Sequence, residues 1–371
     1  MRSYSGMKQL LPLLTCMAVS VTAWAQEPSA TLLDKGFSAM QKGLYERAEQ
    51  YFRACFQTDT AAALPLGTLL ERREAYAEAS DVLSQCRSAE CYSCRARCLS
   101  ALQQWDSAAA VAATAIEMGA TASPMATMAL CESAAGHHTN ARSWAQKAVD
   151  ADPDNARNWT VLGVVAYRKG ADAEALRHFR KAVQLDSNNI DACYNLGVTY
   201  TLRGNFETAI VTLRNGLRRH PQSIRLYSAL GRAYRLRSDP GRASQCYDAI
   251  LSIDSVNLDA WLSLGEICRE RGEYEQAQSY YQKCIRIDPA YTPAHKALGL
   301  NYTQWGDYTK AIRAYQKAVQ IDDTDADTYL LIAQLYSRQG NSQREQNAYK
   351  KAARLGSRPA RQWLVSHGLS W

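Results

Sequence analysis

Glycine recurs at multiples of 34 along this chain. Gly136, Gly170, Gly204, Gly272, Gly306 and Gly340 share one register, which Ser238 alone interrupts. A period of 34 residues is the length of one helix–turn–helix unit, and a unit that short cannot bury its own apolar face, so it stacks on its neighbours. The ladder therefore points to an all-α array of repeated hairpins rather than to one closed core built around a catalytic site.

The residues between the glycines repeat as well. Five positions on come Ala141, Ala175, Ala209, Ala277 and Ala311, with Ala243 after Ser238; only Glu345 departs. Four further on stand Phe179, Leu213, Tyr247, Tyr281, Tyr315 and Tyr349, with a small Ala145 in the earliest of these units. Leu162-Gly163, Leu196-Gly197, Leu230-Gly231, Leu264-Gly265 and Leu298-Gly299 lie just upstream of the ladder. A small residue on each of two antiparallel helices lets their backbones approach, and the larger residues fill the space around the contact. The ladder glycines supply positive φ in the turn, and Pro153, Pro221 and Pro289 stop the second helix of their units.

At these residues the chain resembles the tetratricopeptide repeat (TPR) family. Trp159-x2-Leu162-Gly163 followed by Ala175, Phe179 and Ala182 matches the family pattern. So do Trp261-x2-Leu264-Gly265 with Ala277, Tyr281 and Pro289, and Leu298-Gly299-x2-Tyr302 with Ala311, Tyr315 and Ala318. The resemblance implies an all-α, right-handed superhelical solenoid. Seven repeats follow in one frame: 122–155, 156–189, 190–223, 224–257, 258–291, 292–325 and 326–359. Upstream, residues 26–121 carry about three divergent TPR-like repeats, marked by Gly43-x-Tyr45-x2-Ala48-x3-Phe52, Tyr76-x2-Ala79-x3-Leu83 and Trp105-x2-Ala108-x3-Ala112. Residues 360–371, with Trp363, Leu364 and Leu369, read as a C-terminal capping helix.

The N-terminus has another character. Arg2 and Lys8 precede an apolar run from Leu10 to Ala23, and Ala23-Trp24-Ala25 forms a small-x-small cleavage site, so residues 1–25 read as a secretory signal peptide. Met7 is an alternative start, and Cys16 fits a lipoprotein box poorly. The expected location is periplasmic or extracellular, in a bacterial envelope. No other stretch is long and apolar enough to cross a membrane. After cleavage 41 basic residues face 36 acidic ones, a mild excess that gives no reason to expect a nucleic-acid partner.

The family's first helices line a concave groove, and the resemblance maps groove positions one by one. They fall on Arg157, Tyr167 and Arg168, then on Tyr194 with Asn195 adjacent, then on Arg225, Arg232 and Arg235. Acidic Asp259, Glu266 and Glu270 accompany Arg269 in the next repeat. Arginine forks bind carboxylates bidentately, and tyrosine offers flat contact area. The expected partner is therefore a peptide or protein of acidic character. The chaperone-tail clamp of some family members is absent, because Thr160 and Val164 stand where Lys and Asn are needed.

Ten cysteines survive leader cleavage, and four cluster as Cys86, Cys91, Cys94 and Cys98. Three specific readings stay open: a Cys86–Cys91 disulfide stapling a joint between repeats, a redox Cys91-Tyr-Ser-Cys94 pair near a helix N-terminus, and a four-thiolate metal site. Packed thiols are the bland alternative, favoured for Cys55, Cys193, Cys246, Cys268 and Cys284. The six histidines are scattered, and no phosphate loop or nucleophile elbow appears. The chain thus reads as a non-enzymatic interaction scaffold with neither cofactor nor metal. A redox or metal-handling envelope protein, and a carbohydrate- or cell-wall-binding groove, are the alternatives.

Overall fold

The structure, a computed structural model, describes residues 27–371. The expected leader over 1–25, with Arg2, Met7, Lys8 and Cys16, lies outside the described residues. Among the described residues there are 21 α-helices and no strand. The first ten are α1 (Ser29–Gln41), α2 (Tyr45–Phe56), α3 (Ala63–Arg72), α4 (Tyr76–Leu83), α5 (Ala89–Ala101), α6 (Trp105–Glu117), α7 (Ala122–Ala134), α8 (His138–Ala151), α9 (Ala156–Arg168) and α10 (Asp172–Leu185). Then come α11 (Ile190–Leu202), α12 (Phe206–Arg219), α13 (Ile224–Leu236), α14 (Pro240–Ile253), α15 (Leu258–Glu270) and α16 (Tyr274–Ile287). The last five are α17 (Thr292–Trp305), α18 (Tyr308–Ile321), α19 (Ala326–Arg338), α20 (Ser342–Arg354) and α21 (Arg358–Ser366). They follow one another as ten pairs and a closing helix. The chain divides into two compact units, one ending at Asn195 and one beginning at Leu196.

Local chemistry starts and stops each helix. Asn155, Ser223, Asn257 and Asp325 cap first helices, their side chains accepting from first-turn N–H groups. At the other end the residue after the ladder position donates back five residues, as in Ala171 N to Ala166 O and Asp307 N to Tyr302 O. This closure needs a left-handed residue at the ladder position. Gly306 takes φ +91°, and Ser238 adopts the same region at +64° without glycine's freedom. Glu74 (+62°) and Gln103 (+59°) do so in the upstream repeats, where the glycine register is lost.

Within a pair the contact is set sixteen residues apart. A Cβ added at Gly163 would lie 2.5 Å from the Phe179 ring, and one at Gly197 would lie 2.5 Å from Leu213. Gly36 and Gly67 stand in the same relation to Phe52 and Leu83 upstream. Phe179 is 1% exposed and Leu213 fully buried, so these side chains occupy the space that the glycines vacate.

In α9, α11, α15 and α17 the fourth residue of the helix reaches a loop carbonyl six residues upstream under three identities. Trp159 donates its indole N–H to Pro153 O at 2.7 Å, Trp261 to Ser255 O at 3.0 Å, and the Cys193 thiol to Ser187 O at 3.7 Å. His295 Nε2 sits 3.0 Å from Pro289 O. The two tryptophans are half-buried, because the ring must reach a loop carbonyl at the helix edge.

The closing helix differs from its expected 360–371 extent. Ser357 caps it by accepting from Ala360 N, so it starts at Arg358. Gly368 at φ +67° ends it, and Leu369 folds back onto the core of the second unit. Trp363 stacks between Tyr349 and His367, each 4.0 Å from its ring centre.

Candidate functional site

In the first unit, successive first helices α3, α5, α7 and α9 touch one another, so side chains on them meet across repeats. Five of the expected groove residues lie in this unit. Tyr167 is 38% exposed at the end of α9. Beside it Arg168 is exposed, its guanidinium 5.9 Å from the centre of the Trp105 ring. Tyr194 and Asn195 on α11 are half-buried, and the Asn195 amide donates to Asp191 O at 2.8 Å. Arg157 is not the solvated fork that its register implies. It is half-buried, and its Nε is enclosed without a hydrogen-bond partner.

What surrounds Arg157 was not legible from the repeat. Glu71 on α3 accepts from Arg97 on α5 at both oxygens, at 2.7 and 2.5 Å, and Arg97 also donates to Ser123 on α7 at 3.0 Å. The Cys94 thiol donates to Glu71 at 3.1 Å. Burial pushes the Glu71 carboxyl up, but the bonds and charge of Arg97 outweigh it and hold the group below its ordinary value. Burial and the neighbouring Arg97 charge push the Arg157 guanidinium down. The register slips between α3 and α5, so no 34-residue spacing links Glu71 to Arg97; opposite charges at first-helix positions were the sole signal.

The cysteine cluster splits in two. Cys86 and Cys91 are bonded, with Cα atoms 6.0 Å apart, at the joint between α4 and α5. Cys94 and Cys98 remain thiols, 1% and 0% exposed. In this structure two of the four sulfurs are joined to each other, so the four do not stand together as thiolates. Glu71, Cys94 and Cys98 do bring three donor atoms within 4.8 Å of one another, a set that suits a soft or borderline metal. However, Arg97 already takes both oxygens of Glu71 and places a positive charge beside the sulfurs. The hydrogen bond to Cys98, then burial, push the Cys94 thiol far up, away from the thiolate that a ligand or nucleophile requires. The remaining free cysteines, Cys55, Cys131, Cys193, Cys246, Cys268 and Cys284, are all buried.

In the second unit the expected residues share α13. Arg225 and Arg232 are exposed two turns apart on one helix face. Arg235 is engaged instead, paired with Glu266 on α15. The acidic neighbour expected in the next repeat thus turns inward to neutralise one arginine of the triad. Arg269 is likewise engaged, donating to Gln304 at 2.9 Å.

Models of the tetratricopeptide repeat match residues 258–291 and 326–355, and a further TPR-repeat model matches residues 299–340. The model of the middle TPR-like domain of cilia and flagella-associated protein 70 matches residues 125–254. No curated relative matches the chain. Among solved structures, a tetratricopeptide repeat protein from Parabacteroides merdae is 21% identical, with 65% of this chain and 96% of that one covered and a TM-score of 0.52. A monomeric mutant of IFIT1, solved with Gppp-AAAA, is 15% identical over 89% of this chain and 91% of its own, with a TM-score of 0.56. At these identities the likeness is one of fold.

Proposed function

Because this chain is a tetratricopeptide repeat protein, we propose that it is a non-catalytic scaffold whose first helices present exposed side chains to an acidic segment of a partner protein. Protein binding is the function that the repeat fold supports. The observation that carries the finer reading is the exposure of Arg225 and Arg232 on one face of α13. Tyr167 and Arg168 offer a second exposed contact on α9 in the other unit.

The scaffold works in the bacterial envelope, after export and removal of residues 1–25. A Cys86–Cys91 bond supports that setting, since disulfides persist in oxidising compartments. A redox or metal-handling role for the cluster has less support: Cys91, Cys94 and Cys98 are buried, and reactive cysteines are accessible and low in pKa. No described helix is long and apolar enough to cross a membrane.

Affinity capture from envelope extract, with the unaltered chain and with Arg225→Glu/Arg232→Glu, tests the reading. A partner protein is recovered by the first and lost by the second. Equal recovery by both removes α13 from the binding face. Fractionation and N-terminal sequencing test export; a mature chain starting at Gln26 is expected.

A further inference from the structure

Nine arginines and no lysine fall between residues 196 and 242, opposed only by Glu207 and Asp239. Outside that stretch 34 basic side chains face 34 acidic ones, so the whole formal charge of +7 resides in 47 residues of the second unit. Arg203 follows α11, Arg214, Arg218 and Arg219 lie on α12, and Arg225, Arg232 and Arg235 lie on α13. Arg237 stands in the following turn and Arg242 on α14.

Local acids engage three of the nine. Glu266 pairs with Arg235, Glu207 and Asp239 hold Arg237 at 2.7 and 2.9 Å, and Asp239 reaches Arg242 at 3.7 Å. Arg203, Arg214, Arg219 and Arg232 are exposed and make no ion pair or hydrogen bond among the described residues. Arg218 is exposed and reaches only the Asn215 amide oxygen, at 3.5 Å. Arg214 and Arg218 stand one turn apart on α12, where like charges repel. The fold gains nothing from this arrangement.

We propose that residues 196–242 form a docking surface for a carboxylate-rich protein segment, gripped by exposed arginines of both α12 and α13. This rests on the scaffold reading and extends it, because the footprint is not confined to first helices but includes the second helix α12. The use of arginine alone fits carboxylates, which accept two parallel N–H bonds from one guanidinium, whereas lysine presents a point charge. Arg225 and Arg232 are about 10.5 Å apart along the helix axis, roughly the reach of three residues of extended chain. A nucleic acid fits less well. Tyr200, Phe206, Tyr227 and Tyr234 are the aromatic side chains of the stretch, and each is buried or half-buried, leaving no exposed platform for stacking bases.

Fluorescence anisotropy of the full chain with a labelled oligo-glutamate peptide tests the surface. Binding is expected, and it weakens as salt rises. Arg214→Glu/Arg218→Glu/Arg219→Glu on α12 weakens it by about tenfold or more, as does Arg225→Glu/Arg232→Glu on α13. Arg313→Glu/Lys317→Glu/Arg354→Glu changes net charge outside the stretch as much as the α12 triple does, and more than the α13 pair, yet leaves binding within about twofold because the effect is local. Circular dichroism checks that each variant is folded. Absence of oligo-glutamate binding, equal loss in the outside control, or tighter binding of a single-stranded oligonucleotide or of anionic vesicles overturns the proposal. Capture of no protein by the unaltered chain defeats the scaffold reading itself. Capture of a partner that the folded α12 variant retains in full defeats only the extended footprint.

Discussion

Two neighbouring hairpins, α7/α8 and α9/α10, meet the same packing demand with opposite residues. In α9/α10 a glycine without a side chain, Gly163, faces a buried Phe179 ring. In α7/α8 the corresponding positions are Ala129 and Ala145, both fully buried, and Leu130, Met125 and Trp144 pack from the sides. Ala96 and Ala112 repeat the second solution in α5/α6. The alanine pair is smaller than glycine plus phenylalanine, so what recurs is a filled space between the two helices, closed by one large ring in α9/α10 and by neighbouring Leu130, Met125 and Trp144 in α7/α8. That is why the helical glycines vanish upstream of residue 163 for two repeats while the turn glycine at 136 persists. The two glycines answer to different constraints, one steric and one conformational.

Gly163→Ala should break the comparison most sharply. The added methyl meets a buried ring, and a loss of about 3 kcal/mol is expected from overpacking, read as a lowered urea midpoint. Ala145→Phe, the reverse error in the next hairpin, should cost about 2 kcal/mol, and Ala129→Gly placed beside it should restore more than half. If the double variant is as unstable as the sum of its parts, the steric account of the pair is wrong.

The first helices of the same hairpins also differ in what they hold: α7 offers Ser123 to Arg97, while α9 contributes Arg157 with an unpartnered Nε. Glu71→Gln strips the charge that balances this group and should cost about 2 kcal/mol at neutral pH. The carboxyl titrates lower in the folded chain than in the unfolded one, so its contribution is present above the unfolded pKa and lost as pH falls toward the folded value. The gap between the variant and the unaltered chain should hold from pH 8 to pH 5 and close below about pH 4. A gap that persists in acid would assign the loss to packing rather than charge. The smallest effect belongs to the turns. Ser238→Gly relieves a left-handed serine and should stabilise by about 0.5–1 kcal/mol. The same change at Ser337, inside α19 rather than at a turn, should destabilise by a similar amount.

The helix pairs were legible because turn glycines, proline stops and small–large pairs are local signals repeated many times. The candidate site was legible only in part. Tyr167, Arg168, Arg225 and Arg232 are exposed. Arg235 pairs with Glu266, Asn195 spends its amide on its own helix, and Arg157 is drawn in among the charges of α3 and α5. Those fates depend on which side chain of a neighbouring repeat lies opposite, and a one-repeat register carries no such information. The arginine stretch at 196–242 was in plain view but diluted, because a net charge summed over the whole chain hides where the charge resides.

By itself the sequence determined that this chain is a run of helical hairpins, since a 34-residue unit with an apolar face must stack to be stable. It also determined where each helix turns, because left-handed backbone and proline act within a few residues. Tertiary structure decided which charged and thiol groups remain available. Contacts between repeats brought Glu71, Cys94 and Arg97 into one hydrogen-bonded network that acts on the charge of Arg157, and left Arg203, Arg214, Arg219 and Arg232 without ion-pair or hydrogen-bond partners among the described residues. The physical reason is that backbone turns are won locally, whereas the pairing of a charge depends on long side chains from separate repeats converging at one place.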